Sequence, residues 1–421
     1  MNVVFFYQHY WPDSPPYASM LRTIGESLQS QEVNVHILTG HPSYKSVDRK
    51  MRVRPNELMN GVSVQRLPSL WGIEQFKILQ KLQKILFPIR AFLSLIFQRY
   101  VLGKKIDVVV AATIPPVLNG GFAWLSSKLV GAKFVYHLQD IYPEIGVTSG
   151  LWNERSLIAR ILRTLDTFIC KRAHACVVLS EDMRASLVRR GVDSDSISVI
   201  NNFLLDSHEK IEIKDASDFN IEYGAVNIVF AGNLGRFQGL NDVLDGFLHW
   251  QKNHSNPIRE TMYLHFLGEG SEKANLLARS NGNANVIFHK HLPFSEASQF
   301  IQACDAGIVS LNRGVYKYAF PSKILTYLGL GVPIFAMVEP DSEISHELKS
   351  NNLGVVCRSQ SADQISLAFE KMHRLAVCKE FETARILKHY QKHLASEVAL
   401  GKWKELIEVV TSNPKNNVKP L

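Results

Sequence analysis

The stretch VNIVFAGNLGRFQGLNDVLDGFLHW, residues 226–250, decides the fold class. Its first six residues, Val226–Ala231, are short, β-branched and apolar on both faces, as a strand inside a parallel sheet should be. A helix follows from near Leu240. Between them Gly232, Gly235 and Gly239 place three glycines in eight residues. Glycine permits positive φ there and lets a ligand come close to the backbone. The helix points the positive end of its dipole back at this loop, which suits an anion. Arg236, in the same loop, carries a guanidinium matched to phosphate oxygens. A tight strand-to-helix turn with no ligand has the same sequence, so the loop alone does not settle its use.

The same rhythm runs outward in both directions. Upstream, apolar runs at 2–7, 33–39, 62–67, 107–112, 133–138, 175–179 and 197–200 alternate with helical stretches such as 18–29, 118–129 and 154–171. Downstream, runs at 262–267, 285–288, 306–310, 333–336 and 354–356 do the same, and 396–411 reads as a last helix. This βαβ alternation predicts an α/β chain of two doubly wound units. A length of 421 residues supports two cores of about 200 residues each. Residues 204–225 are polar and aperiodic and read as the linker. The expected domains are therefore 1–203, 204–394, and a terminal segment 395–421 that ends in a loose tail. Ligands of open α/β sheets bind outside the carboxyl ends of the strands, so the loops after each strand are where chemistry is sought.

Apolar residues make up 46% of the chain and charged residues 20%, which excludes a disordered class. Cys170, Cys176, Cys304, Cys357 and Cys378 form no CxxC pair and no zinc spacing, and read as reduced core thiols. The opening MNVVFFYQHYWPD lacks a basic n-region and a cleavage site, so it reads as a first strand and not a signal peptide. The net charge of +8 favours an anionic partner. That charge is concentrated at 76–105, FKILQKLQKILFPIRAFLSLIFQRYVLGKK, with seven Lys or Arg and no acid. Pro88 and Arg90 interrupt its apolar run too soon for a transmembrane helix. A basic amphipathic helix on an anionic membrane surface fits the pattern. So does a domain helix with a solvated basic face. Positive charge on an apolar helix, with no nucleic-acid module, argues against DNA or RNA as the partner.

A second anion site is expected where Phe320-Pro321-Ser322-Lys323 precedes an apolar helix at 324–330. Proline suits a helix start, and Lys323 supplies charge for an anionic leaving group. An ordinary capped helix has the same signature. Gly268, in Leu267-Gly268-Glu269-Gly270, and the loop His289–Phe294, with His291 and Leu292, each follow a strand. Either can hold a base edge or a ribose, or be solvated. His289 and His291 stand two apart with no carboxylate beside them, so no metal site is expected. In the first half, Gln139-Asp140-Ile141-Tyr142-Pro143-Glu144 ends a strand. Asp140 suits acceptor binding or proton transfer, or caps the next helix. The first loop, Gln8–Pro16, is aromatic and stiff and holds His9, Tyr10 and Ser14; His41 ends the second strand. Asp193-Ser194-Asp195 imitates a metal-binding DxD but precedes a strand, and reads as a turn. No GxxxxGK[ST] occurs, which disfavours a P-loop NTPase.

Taken in order, GNLGRFQGL (232–240), FLGEG (266–270), HKHLPF (289–294), DAGIVSL (305–311) and FPSKILTYLGLGVPIFA (320–336) resemble the retaining GT-B glycosyltransferases of family 4. The first half agrees through QHYWPD (8–13), LTGHPSY (38–44), TIPP (113–116), HLQDIYPE (137–144), VVLSEDMRASLVRRGV (177–192) and VINN (199–202). The likeness covers nearly the whole chain and is nearest to bacterial O-antigen, capsule and colanic-acid enzymes, including the fucosaminyl type.

The resemblance implies a GT-B fold, two Rossmann-like domains facing across a cleft, with the terminal segment as a helix crossing back to the first domain. It implies a nucleotide-diphosphate sugar as donor, UDP-sugar favoured, held mainly by the second domain. No cofactor and no metal are expected, and the anomeric configuration is retained. Arg236 and Lys323 would meet the diphosphate as catalytic groups, with Asp140 on the acceptor side of the chemistry. Gly232, Asn233, Gly235, Gln238, Gly268, Pro321, Ser322 and Thr326 would contact the donor, with His291 and Leu292 at its base. His9, Tyr10, Ser14, His41, Gln139 and Glu144 would face the acceptor. That acceptor is expected to be a lipid-linked oligosaccharide, met by a cytoplasmic, peripheral enzyme held at the inner face of the membrane through 76–105. The chain departs from the family pattern in three places. The family's two glutamates correspond to Tyr318 and Thr326, its loop Arg and Lys to Asn233 and Gln238, and its histidine to Gln139. Arg236 would then substitute, and Glu343 would take a ribose hydroxyl. The missing glutamates keep a noncatalytic GT-B scaffold subunit as an alternative, beside a GT-B epimerase and a transferase using a soluble acceptor.

Overall fold

The computed structural model describes all residues except 14–15, 43–52, 69–76, 149, 206–220, 223, 254–260, 358–360 and 413–421. Ser14, most of the expected linker and the tail lie outside the described residues. The chain divides into two compact units: residues 1–205, 318–320 and 396–421, and residues 206–317 and 321–395. Residues 318–320, read from sequence as part of the second domain, group with the first unit. Backbone pairing explains this: Asp140 forms an antiparallel bridge with Ala319, and Ile141 N–H donates to the Tyr318 carbonyl at 2.8 Å.

The first unit runs β1 (Asn2–Phe6), α1 (Pro16–Ser30), β2 (Asn34–Thr39), β3 (Asn56–Met59), β4 (Val62–Arg66), α2 (Lys77–Tyr100), β5 (Val108–Ala112), α3 (Leu118–Val130), β6 (Lys133–His137), α4 (Glu144–Thr148), α5 (Leu157–Arg172), β7 (Ala175–Val178), α6 (Glu181–Arg189) and β8 (Ile197–Val199). Its sheet has the order β3-β4-β2-β1-β5-β6-β7-β8 and is parallel except for β3, which pairs antiparallel with β4. The β3–β4 hairpin turns at Asn60-Gly61, both at positive φ, the pattern that two-residue hairpin loops need. Strands such as β5, buried along its whole length, are apolar on both faces because helices cover the sheet on each side. One covering core draws on α2, α3, α5 and α6, through residues such as Phe87, Leu95, Ala123, Ile169 and Met183.

The second unit runs β9 (Val226–Ala231), α7 (Leu240–Asn253), β10 (Met262–Leu267), α8 (Lys273–Ser280), β11 (Val286–His289), α9 (Phe294–Gln302), β12 (Ala306–Ser310), α10 (Lys323–Gly329), β13 (Ile334–Met337), α11 (Glu343–Ser350), β14 (Gly354–Cys357), α12 (Ala362–Val377) and α13 (Thr383–His393). Its all-parallel sheet has the order β11-β10-β9-β12-β13-β14, with β9 and β12 central and the chain winding outward from them both ways. The final helix, α14 (Ser396–Ser412), belongs to the first unit, where Trp403 packs on Phe5 and His137. Four of the cysteines are buried, but Cys378 is exposed, so the reading of all five as core thiols fails there. It follows α12, where the helical face has turned to solvent.

Candidate functional site

The second unit gathers a set of strand-end loops around the end of β9. Gly232 leaves the strand at φ +123, and its N–H donates to the Leu267 carbonyl at 2.8 Å. Gly268 lies against it at φ +143, and a Cβ there would fall 2.1 Å from the Gly232 carbonyl oxygen. A Cβ on Gly270 would meet the Leu234 backbone in the same way. Gly268 is thus a packing residue that lets two loops touch, and donor contact is not needed to explain it. After Gly235, residues Arg236–Gln238 make one 3₁₀ turn, and Gly239 at φ +59 opens α7. The turn is pinned by Asn312, whose side-chain amide donates to the Arg236 carbonyl at 2.8 Å.

Lys323 enters this loop cluster from the start of α10. Its Nζ stands 4.5 Å from the centre of the Phe230 ring and donates to Gln238 Oε1 at 3.4 Å. A Cβ on Gly232 would lie 3.4 Å from the same Nζ. Burial against these neutral groups pushes its ammonium down to about 8, from an ordinary 10.5. Asn233 and Gln238 stand where the resembled family carries cations, and Lys323 is a cation seated against this loop, while Lys273 Nζ reaches the Gly268 carbonyl of the neighbouring loop at 3.4 Å. Arg236 is placed differently: its side chain is 77% exposed and only loosely paired with Glu272, at 3.6 Å. Ser322 makes no side-chain cap, so the ordinary capped-helix reading of this segment fails. Ile324 N–H closes instead on the Pro321 carbonyl at 3.1 Å. Thr326 sits half-buried in α10.

The remaining donor-side candidates are spread out. His291 is exposed and Leu292 half-buried in the loop before α9. His289 turns away from solvent, with Nε2 3.0 Å from His265 Nδ1, and His265 Nε2 reaches Asn227 Oδ1 at 3.1 Å. Burial holds both rings neutral, at about 3 for His265 and about 4 for His289. Glu343 begins α11 behind the N-cap Ser342. Glu339, not singled out from the sequence, accepts from the Gly314 N–H through Oε1, while its buried Oε2 meets no hydrogen-bond partner. Its only sequence signal was its place just after β13.

In the first unit the strand-end residues form their own network. His137 closes β6 with Nδ1 at 2.7 Å from the Tyr7 hydroxyl and 3.0 Å from that of Tyr17. Gln139 reaches His137 Nε2 at 2.8 Å and is bonded to Asn202. Burial lowers His137 to about 3, so the ring is neutral. Burial pushes the Asp140 carboxyl the other way, up to about 6. Because α4 begins only at Glu144, Asp140 stands well ahead of that helix, and of its two readings the helix cap does not hold. His9 pairs with Asp13 at 2.9 Å, and His41 is half-buried after β2. Tyr10 corrects the sequence reading: it is 2% exposed in the core beside Phe5 and Leu21, and cannot line an open site. Glu144 is likewise engaged, by Arg163 at 2.9 Å and by Arg190, which also holds Asp166 at 2.7 Å. Glu144, Arg163 and Arg190 border a cavity of about 590 Å³ that Tyr318 also lines. Asp193 caps its own turn through the Asp195 N–H, as read. Among the described residues no group of three or more His, Cys, Asp or Glu is gathered for a metal.

Set beside known proteins, residues 17–202 match the glycosyl transferase 4-like domain. The chain is 29% identical over 288 residues to the probable glycosyltransferase WbjE of Pseudomonas aeruginosa, a match covering 66% of this chain and 70% of that one. Sucrose-phosphate synthase from Thermosynechococcus elongatus superposes with a TM-score of 0.71 at 14% identity, over 97% of this chain and 98% of the other. Anabaena Alr3699/HepE in complex with UDP-glucose superposes at 0.65 and 12% identity, over 97% and 99%. At these identities the structural likeness establishes the fold: two α/β domains with parallel, Rossmann-like cores, as in GT-B structures.

Proposed function

We propose that this chain, a glycosyltransferase of the GT-B fold, moves a sugar from a UDP-sugar to a lipid-linked oligosaccharide of a bacterial surface polysaccharide, with retention and without a metal ion. The observation that carries this reading is Lys323, an ammonium seated between Gln238 and the Phe230 ring beside the Gly232 loop. A cation preplaced among glycine-rich backbone is suited to a departing diphosphate, whose growing charge it stabilises most when the sugar–phosphate bond is nearly broken. The amides at the start of α7 add their dipole, and Arg236 adds long-range attraction from its exposed position. The acceptor hydroxyl attacks the anomeric carbon from the face the diphosphate leaves, the sugar–phosphate bond breaks, and the hydroxyl proton passes to the departing phosphate oxygen. The neighbour bound to UDP-glucose supports uridine as the base. Helix α2, basic and free of acid, seats the enzyme at the inner membrane face where a lipid-linked acceptor lies. No helix among the described residues is long and apolar enough to cross a membrane.

The test is turnover of a panel of UDP- and GDP-sugars with lipid-linked acceptor, in the presence of a chelator. The expected result is UDP release with product of unchanged anomeric configuration. Neither binding nor turnover across the panel would leave the fold but remove the enzyme reading. Turnover that chelation abolishes would overturn metal independence.

A further inference from the structure

Helices α2, α3 and α5 lie side by side over one face of the first unit's sheet. Phe92 of α2 meets Phe122 of α3 with ring centres 6.0 Å apart, and the Tyr100 hydroxyl donates to the Leu129 carbonyl at 2.6 Å. Trp124 of α3 meets Phe168 of α5 at 5.3 Å. Their inward residues fill the core, so a surface helix would be expected to turn a polar face outward. These three do not. On α5, Leu157 is 71% and Ile158 62% exposed, and Ile161, Leu165 and Phe168 continue one helical stripe with them. On α2, Leu93, Phe97 and Tyr100 are exposed at four- and three-residue steps along one helical face, opposite the buried Phe87, Ala91 and Leu95. On α3, Leu118, Leu125 and Leu129 do the same.

The charge on this face has one sign. Helices α2 and α3 contain no Asp or Glu, and the single acid of α5, Asp166, is buried against Arg190. Lys104 just past α2, Lys128 of α3, and Arg160 and Lys171 of α5 are exposed. A broad apolar surface edged by cations fits anionic lipid, with the apolar stripe at the acyl boundary and the cations at the phosphates. A second copy fits less well, since a two-fold contact would set the same basic edge against itself.

We propose that the α2–α3–α5 face is a membrane-insertion surface for an anionic bilayer, in which α5 enters the lipid as well as α2. It rests on the reading of a transferase that works on a membrane-held acceptor, but assigns the contact to a surface three helices wide. The test is co-sedimentation of the full chain with vesicles of phosphatidylcholine alone and of phosphatidylcholine mixed with phosphatidylglycerol. Wild type should bind the mixed vesicles and lose most binding to the neutral ones. The variant Leu157→Ser/Ile158→Ser/Ile161→Ser should bind the mixed vesicles about tenfold more weakly or less, because it removes apolar area that enters lipid. Its melting temperature and UDP binding should not change, since all three side chains are exposed. A second variant, Leu93→Ser/Phe97→Ser, reports on α2. If the α2 variant loses binding and the α5 variant does not, the three-helix surface is wrong and an α2 anchor survives. If wild type binds neither vesicle, both readings fall. A wild-type dimer that the α5 variant dissociates, without change in lipid binding, would assign the face to a second copy.

Discussion

Lys323 meeting the donor diphosphate, as proposed, would tie donor binding to protons. The ammonium sits at about 8 because it has exchanged water for a ring and a neutral amide. A diphosphate charge arriving about 4 Å away attracts it by about 4 kcal/mol at an effective dielectric of 20. That corresponds to about three pKa units, enough to keep the bound lysine charged well past neutrality. Below about pH 7 the amine is charged with or without donor, so binding takes up almost no proton. At about pH 9 only about a tenth of the free protein carries the charge, so binding takes up close to one. Affinity should therefore weaken about tenfold per pH unit above 8, by linkage. The assay is calorimetric titration of UDP in paired buffers of different ionisation enthalpy, from about pH 7 to about pH 9, on wild type and Lys323→Met. Protons taken up by UDP itself cancel between the two proteins. Equal uptake in both, or wild-type affinity that is flat across this range, would refute the placement of Lys323 against the diphosphate.

Four further variants test the same structure. Lys323→Ala should lower kcat by about 10²–10³ with a smaller change in KM, as loss of a transition-state charge does; Arg236→Ala, removing an exposed cation, should cost about tenfold or less in kcat/KM, and high salt should erase the difference. Gly268→Ala forces a Cβ onto the Gly232 carbonyl at a φ of +143, so its melting temperature and UDP affinity should fall together; a variant that melts like wild type would show that the loops do not pack this way. Arg190→Met leaves Glu144 and Asp166 facing one another without their shared cation, and should destabilise the chain by about 3–5 kcal/mol in chemical denaturation; a loss below about 1 kcal/mol would mean that the network is solvated.

What the sequence disclosed and what it hid divide along physical lines. The sheet strands were legible because buried parallel strands are apolar in one dimension, and 226–231, 262–267 and 306–310 match β9, β10 and β12. Strand β3 was missed although Asn60-Gly61 announces its hairpin, because its residues alternate exposed and half-buried and carry no apolar run. That a helix starts at Lys323 was legible from the proline just before it. The pairing of Lys323 with Gln238 was not, because the two are 85 positions apart and only the fold brings them together. Tyr10 was misread because an aromatic residue after a strand looks the same whether it turns to the core or to solvent. In α2 the residues themselves are ambiguous: apolar side chains lie on opposite sides, and periodicity does not say which side meets the sheet.

The absence of the glutamate pair leaves open, at the level of sequence, a chain that keeps the fold and has lost the chemistry. Lys323 argues the other way. Its folded pKa lies below its unfolded value, so the unfolded chain binds more protons between about 8 and 10.5, and stability rises with pH through that window. Below it the buried charge costs the empty protein at most about 3 kcal/mol. A methionine would fill the same space without that cost, so a scaffold has no use for the ammonium, whereas a site awaiting an anion recovers the cost on binding. Lys323→Met should accordingly raise the melting temperature of the ligand-free chain near pH 7, by less as the pH approaches 10, while removing turnover and the stabilisation that UDP confers. A variant less stable than wild type at neutral pH would mean that the lysine is held by favourable contacts of its own, and the argument against an inert scaffold would fail with it.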